Sequence, residues 1–144
     1  MKLLGNDYRL WIESAVAGTY TEIKGQISTR VSRAGGLFDT SSKDDGAYGT
    51  QAPGSRGVTL DFEILPNLPD ANGFTRLESR ANASPAVPTK FEIRKAGSAG
   101  VGADAVFRAN MYIGGFDTDY PKDAPVRCTG QLSLASPPEL DTLG

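Results

Sequence analysis

Carboxylates at alternate positions are the residues of this sequence best placed for chemistry. Asp117, Asp119 and Asp123 form an oxygen-rich run of the kind that calcium prefers. The run lacks the glycine and the distal glutamate of an EF-hand loop, and Pro121 interrupts it. A solvated turn is therefore the favoured interpretation, and we predict no metal site.

Two further acidic pairs have a spacing that could serve hydrolysis. Asp61 and Glu63 share one face of a predicted strand, and paired carboxylates of this kind act in glycosidases. Asp44 and Asp45 are adjacent in a Gly/Ser-rich segment. A catalytic pair would need perturbed pKa values in a cleft, and nothing else in the sequence supports hydrolysis. Both pairs are more typical of solvent-exposed surface.

Histidine is absent, and Cys128 is the one cysteine. These counts exclude histidine-based triads, histidine-ligated metals, internal disulfides and thiolate zinc clusters. Cys128 alternates with apolar residues and is predicted to be a small core residue. The pair Gly35-Gly36 lacks the Lys-Ser/Thr and the strand-to-helix context of a phosphate loop. We therefore predict no catalytic residue, no cofactor and no enzymatic activity.

Charge and hydropathy narrow the classes of partner. The chain of 144 residues has 15 Lys and Arg against 17 Asp and Glu, so a global attraction to nucleic acid is not expected. Five arginines without interleaved aromatic residues are predicted to be surface or interface charges: Arg30, Arg33, Arg56, Arg76 and Arg80. No apolar run has the length of a signal peptide or a membrane span. We expect synthesis in the cytosol and no membrane contact.

Alternation of apolar and polar residues predicts the elements that position these side chains. A period of two predicts strands at 8–13, 20–23, 27–32, 58–64, 90–94, 107–113 and 126–134. Phe74, Leu77 and Ala81 have helical spacing, which predicts a helix over 70–81. The residues from Thr75 to Glu78 match a capping box, with Asp70 or Asn72 as the alternative N-cap. The fold class that follows is mainly β, with one short α-helix.

The segment 34–57 has no period of 2 or 3.6 and is predicted to be a long inter-strand loop. It contains apolar residues that a plain linker lacks, so we expect it to become ordered against a partner. The residues predicted to form this assembly interface are Gly35, Gly36, Leu37, Phe38, Asp39, Tyr48 and Arg56. Trp11 is a further interface candidate if its side chain is exposed. The segment 135–144 is predicted to be a loose tail of a single domain spanning 1–144.

The order of these elements resembles the tail tube (major tail) proteins of long-tailed bacteriophages. The run 56–65, Arg-Gly-Val-Thr-Leu-Asp-Phe-Glu-Ile-Leu, followed by 70–81, is similar to the strand-to-helix core of that family. The strands at 6–12 and 27–33 resemble its first long pair, and the strand at 126–134 resembles its last.

The resemblance implies an antiparallel β-sandwich or barrel core with one short flanking α-helix. It also implies a structural subunit that assembles into stacked hexameric rings. The stacked rings form a hollow tube in the virion, and DNA passes through the lumen without specific binding. Tape measure, tail-tip and initiator proteins are the implied partners. Type VI secretion tube proteins share this fold and are the neighbouring alternative.

Two hypotheses from other classes stay open at the level of sequence. A monomeric β-sandwich that binds carbohydrate or a protein would need clustered aromatic residues, and Tyr8, Trp11 and Tyr20 do not clearly cluster in the sequence. An enzyme would have to use carboxylates alone.

Overall fold

Eight antiparallel strands form one sheet in the described part of this computed structural model, which comprises residues 3–39, 49, 51–95 and 105–143. A 3-10 turn (Gly5–Asp7) leads into the first strand. The strands run in the order β2-β1-β5-β6-β7-β4-β3, and β8 pairs with β6. This arrangement confirms the predicted mainly β class, as a sheet that does not close. The elements are β1 (Tyr8–Glu13), β2 (Tyr20–Glu22), β3 (Gln26–Asp39), β4 (Gln51–Ile64), α1 (Phe74–Ala81), β5 (Thr89–Lys95), β6 (Ala105–Asp119), β7 (Arg127–Leu134) and β8 (Leu140–Asp141).

The core lies on one face of the curled sheet, where the apolar residues of each alternating strand meet. Its strand residues include Leu10, Ile12, Leu60, Phe62, Ile64, Phe91, Phe107, Met111 and Leu132. Cys128 is 1% exposed and belongs to the same cluster, as the sequence predicted. Apolar side chains removed from water in this way supply most of the drive for folding.

Helix α1 covers the core through Phe74 and Leu77, which are both buried. The Phe74 ring lies 6.1 Å from that of Phe116 on β6. The helix begins four residues later than predicted, so Thr75 lies inside it and the capping-box prediction is wrong. The Asp70 carboxylate instead accepts hydrogen bonds from the backbone N–H groups of Phe74 and Lys24, each at 3.0 Å. Among the described residues, no helix is long and apolar enough to cross a lipid bilayer.

Close packing explains why position 130, on the core side of β7, is a glycine. It pairs with Phe62 on one side and with Phe116 on the other. A Cβ atom at this position would lie 2.4 Å from the Phe62 ring and 2.7 Å from the Gly115 carbonyl oxygen. The space that a side chain would occupy is therefore filled by the Phe62 ring.

The described ends of the predicted loop at 34–57 are paired β-strands, so the loop prediction is wrong for them. Residues 34–39 continue β3 and residues 51–57 continue β4, with Ala34 opposite Gly57 and Leu37 opposite Pro53. A β-bulge near Gly54 shifts the register by one residue. We call these two extensions the arm. Alternation is lost along the arm because most of its residues are exposed, so neither face requires apolar side chains.

Two other segments are more regular than the sequence predicted. The solvated turn predicted over 117–123 begins later than expected, because β6 continues to Asp119. The C-terminal segment expected to be loose contains β8, which pairs with Phe107 and Arg108 of β6. Backbone pairing thus holds the described part of this tail to the sheet.

The side chain of Gln26 bridges β1 and β3, which lie near each other although they are far apart in the sheet order. Its Oε1 atom accepts a hydrogen bond from the Leu10 N–H at 2.7 Å. Its Nε2 atom donates to the carbonyl oxygens of Leu10 and Ile23, both at 2.7 Å. One amide side chain therefore links β1 and β3, which are not paired with each other through their backbones.

Replacing Gln26 by alanine should lower the free energy of unfolding by about 2–4 kcal/mol, because it leaves the partly buried N–H group of Leu10 without a hydrogen-bond partner and removes the bonds to the Leu10 and Ile23 carbonyl oxygens. Urea denaturation followed by circular dichroism measures this loss. Gln26→Glu keeps an acceptor for the Leu10 N–H and should lie between the wild type and Gln26→Ala. Equal stabilities of all three proteins would contradict the bridging role.

Candidate functional site

The strands β6, β7, β4 and β3 have one polar face, opposite the core. Arg30, Asp61 and Gln131 lie side by side across β3, β4 and β7. The next row of the same face consists of Ser28, Glu63, Thr129 and Asp117. A shallow depression of about 600 Å³ lies over these two rows. Asp61 and Glu63 therefore mark the polar face of an amphipathic strand, as the sequence favoured.

The charges on this polar face are predominantly negative. Glu63 forms an ion pair with Arg127, with Oε1 and Nη1 2.9 Å apart, and Asp119 lies opposite Arg127 in the register of β6 and β7. Among the described residues of these strands, this face has four carboxylates and two arginines, Arg30 and Arg127. The carboxylates are those of Asp61, Glu63, Asp117 and Asp119. Within the described ranges, no three acidic or cysteine side chains come together as a metal site. The arrangement gives an acidic surface that repels phosphate groups.

The arm carries most of the residues predicted as an assembly interface. Gly35, Gly36, Leu37 and Arg56 are exposed there, and Leu37 is 64% exposed. The backbones of Phe38 and Asp39 pair with Ala52 and Gln51. Tyr48 lies outside the described residues. The structure thus brings the described members together on the arm.

Trp11 does not lie free on the surface. The guanidinium carbon of Arg94 lies 4.6 Å from the centroid of the Trp11 ring and 5.0 Å from that of Tyr20. Burial is the largest cause of the raised pKa of Tyr20, and the negative charge of the nearby Glu92 carboxylate is the second largest. Trp11 and Tyr20 therefore converge on one cation, although they do not clearly cluster in the sequence.

Glu92 is the centre of a buried charged cluster that the sequence reasoning missed. Its Oε2 and Oε1 atoms accept hydrogen bonds from the Nε atoms of Arg94 and Arg108, each at 2.5 Å. Glu92 and Arg94 are 0% and 1% exposed. The hydrogen bond to Glu92 raises the pKa of Arg108. Oppositely charged residues lie in register on neighbouring strands here. The sequence could have revealed this cluster only if β1, β5 and β6 had been known to be adjacent.

The five arginines predicted to be surface or interface charges are spread over different parts of the fold. Arg30 lies on the polar face and Arg56 on the arm. Arg76 and Arg80 lie on α1, where the Arg76 Nε atom donates to the Glu13 carbonyl oxygen at 2.6 Å. Arg33, at the base of the arm, bonds to Asp141 of β8, with Nε and Oδ2 2.8 Å apart and Nη2 close to Oδ1. This bidentate pair ties the C-terminal strand to the arm.

The Arg33–Asp141 pair should contribute to stability only where Asp141 is ionised. The hydrogen bond from Arg33 lowers the pKa of Asp141 below its ordinary value of 3.8. A lowered pKa in the folded state gives stability that is complete above the unfolded-state pKa and is lost as pH falls through the folded-state pKa. Because Arg33 is largely exposed, we expect Asp141→Asn to cost less than about 1 kcal/mol at pH 7.

Urea denaturation of the wild type and Asp141→Asn at several pH values measures this effect. The difference between the two proteins should vanish as pH falls below 3.8. If the difference in free energy of unfolding stayed constant over the whole pH range, it would not arise from the ionised Asp141 carboxylate.

The block formed by β3, β4, β7 and β6 has two edges without a paired strand in the described part of the chain. The outer edge of β3 is one end of the sheet. On β6, pairing with β5 ends at Met111, whereas pairing with β7 continues to Asp119. The opposite edge of β6 beyond Met111 is therefore available as well. Unpaired edges are templates for pairing with another chain.

No protein-family model matches the sequence, and no curated protein matches it. Solved structures do match in fold. The tail of an empty gene transfer agent particle, refined with C6 symmetry, has a TM-score of 0.73 at 14% identity and covers 98% of this chain and 100% of its own. The SPP1 tail tube has a TM-score of 0.71 at 14% identity, covering 99% and 83%. The baseplate of the anti-feeding prophage has a TM-score of 0.65 at 9% identity, covering 94% and 93%.

These matches span nearly the whole chain, so its described strands and helix have the fold of phage-type tail tube proteins. The resemblance inferred from the sequence is confirmed at the level of fold.

Proposed function

We propose that this chain is the structural subunit of a hollow tail tube, built from stacked hexameric rings through which DNA passes. It acts by assembly and not by catalysis. The supporting comparison is the gene transfer agent tail, a C6-symmetric assembly whose subunit shares this fold along its full length.

The observation that carries the proposal is the four-stranded block with two free edges. If the outer edge of β3 pairs with the free edge of β6 in a neighbouring copy, each subunit adds four strands to one continuous sheet. Because the two edges differ, the contact is heterologous, and repetition through a rotation closes a ring. A six-fold rotation, as in the gene transfer agent tail, would close the sheet around a central channel.

The polar face of the block is the side that suits a channel wall. The opposite face is occupied by the core and α1, so only the polar face can line the interior of such a ring. Its excess of carboxylates repels DNA phosphates, so DNA would pass without adhering. This proposal gives Asp61, Glu63, Asp117 and Asp119 a role in repulsion and none in catalysis.

The arm is proposed to connect one ring to the next. Its residues Gly35, Gly36, Leu37 and Arg56 are exposed on a hairpin that leaves the core. Phe38, Asp39 and Tyr48 belong to the same proposed interface. Trp11 stays a weaker candidate, because the guanidinium of Arg94 covers its ring.

The proposal also places the protein in the virion, after synthesis in the cytoplasm of a bacterial host. A tape measure protein and a tail-tip or initiator protein are the proposed partners besides further copies of the chain. The subunit would need no cofactor and no membrane.

Negative-stain electron microscopy of concentrated, aged protein tests this function. We expect hollow tubes of uniform width, with six-fold symmetry in end-on class averages. Analytical ultracentrifugation of the same samples follows the loss of monomer. A chain that remains monomeric at every concentration, also after seeding with purified tail tips, would contradict the proposal.

A further inference from the structure

The N-terminus of α1 is held by a carboxylate that lies outside the helix. The Oδ2 atom of Asp70 accepts hydrogen bonds from the backbone N–H groups of Phe74, the first helical residue, and of Lys24. Asp70 is 6% exposed, and Lys24 lies in the turn between β2 and β3. One buried side chain therefore satisfies a free N–H group of the helix and also ties the helix to the sheet. We call this contact the Asp70 cap.

The Asp70 cap requires a glycine at position 73. A Cβ atom there would lie 2.3 Å from the Oδ2 atom of Asp70 and 2.6 Å from its Cγ atom. Any side chain at this position would thus displace the carboxylate that holds the helix. The residue before Gly73 is Asn72, so the cap places an Asn-Gly pair directly before α1. In the sequence, Asn72 is the one asparagine that is followed by glycine.

An Asn-Gly pair is able to undergo an intramolecular reaction. The main-chain nitrogen of Gly73, after losing its proton, attacks the Cγ atom of Asn72, and the side-chain nitrogen leaves as ammonia. Glycine favours this attack because it has no Cβ atom to obstruct the approach or to restrict the backbone. Water then opens the five-membered succinimide at either carbonyl carbon and leaves aspartate or isoaspartate. The balance is one water consumed and one ammonia released, and no oxidant or reductant is needed.

The structure leaves both reacting groups accessible. Asn72 is exposed and lies in the turn at 71–73, before the first helical residue. The Gly73 N–H group donates to the Asp70 carbonyl oxygen at 3.3 Å, which is longer than the usual distance of about 2.9–3.0 Å. The attacking nitrogen is therefore held more weakly than it would be in the ladder of a helix or a sheet.

We propose that Asn72 is a site of spontaneous deamidation, and that its isoaspartate product releases the Asp70 cap. Isoaspartate carries the main chain through Cβ and Cγ, which adds one carbon to the main chain before Gly73. Gly73 then moves relative to the carboxylate against which it is packed. Phe74 and Lys24 lose their common acceptor, so α1 is loosened from the sheet. This reaction is a property of the single subunit and does not depend on the proposed assembly.

Peptide mapping by mass spectrometry tests the site on the full-length protein, incubated in mildly alkaline and in mildly acidic buffer. Asn67 is the internal control, because it is also exposed but is followed by Leu68. We expect Asn72 to deamidate at least about tenfold faster than Asn67, and faster in the alkaline buffer, where the attacking nitrogen loses its proton more readily. Equal rates at Asn67 and Asn72 would overturn the proposed site.

Hydrogen exchange tests the release of the cap. Anion exchange separates the protein that has gained one negative charge, and electron-transfer fragmentation identifies its isoaspartate fraction. In that fraction the Phe74 and Lys24 amides should exchange at least about tenfold faster than in the unreacted protein. Asn72→Asp carries the added charge on an unaltered main chain and should exchange like the wild type. Unchanged exchange in the isoaspartate fraction, or equal acceleration in Asn72→Asp, would overturn release by the lengthened main chain.

Discussion

Removal of residues 37–53 should leave a folded monomer and abolish tube assembly. In the paired register Gly35 lies opposite Arg56, so the shortened hairpin closes with Gly36, Gly54 and Ser55 as a three-residue turn. The core stays intact, because the deleted part that the structure describes contributes no residue to the hydrophobic cluster. The contact proposed between rings, by contrast, is removed entirely.

Three measurements check this expectation. Circular dichroism should retain a β-type spectrum, urea unfolding should stay cooperative, and ultracentrifugation with electron microscopy should find monomers in place of tubes. A deletion variant that still forms tubes would show that the arm does not join the rings. A variant that is unfolded would contradict the independence of the core from the arm.

Replacement of Glu92 by alanine should lower the free energy of unfolding by about 3–5 kcal/mol. Glu92 compensates the buried charge of Arg94 and also binds Arg108. Its removal leaves a guanidinium that is 1% exposed without its carboxylate partner. Breaking one side of a buried ion pair costs more than the pair itself contributes, because the remaining charge stays desolvated.

Glu63→Ala is the matched control for this substitution. Glu63 also pairs with an arginine, but the side chains of Glu63 and Arg127 are 27% and 54% exposed. Its loss should cost less than about 1 kcal/mol. Urea denaturation of the two variants and the wild type, under the same conditions, compares them directly. Equal losses for Glu63→Ala and Glu92→Ala would refute the argument from burial.

The paired strands of the core could be predicted because their alternation is a direct consequence of packing. The side chains of Leu60, Phe62 and Ile64 must point to one side of the sheet to leave water. Apolar residues therefore recur at every second position of the sequence. The same reasoning identified Cys128 as a core residue and Asp61 and Glu63 as its polar counterpart. The helix was located by its spacing, although its N-terminus depends on Asp70, whose carboxylate also binds Lys24 far away in the chain.

The arm was mistaken for a loop because the signal used to recognise strands comes from burial and not from backbone pairing. Residues 34–39 and 51–57 pair with each other but cover no core, so nothing constrains which residues alternate. The same limit applies to β8, which is too short for a period to be visible.

The sequence by itself determined the mainly β class, the absence of histidine- and disulfide-based chemistry, and the faces of the core strands, because each depends on composition or on local periodicity. Only the tertiary structure decided which strands are neighbours. That order buries Glu92 with Arg94 and Arg108, brings Gln26 to Leu10, and joins Arg33 to Asp141 across 108 positions of the chain. The available edges of β3 and β6 follow from the same order, since the end of a sheet is defined only once distant segments have been placed side by side.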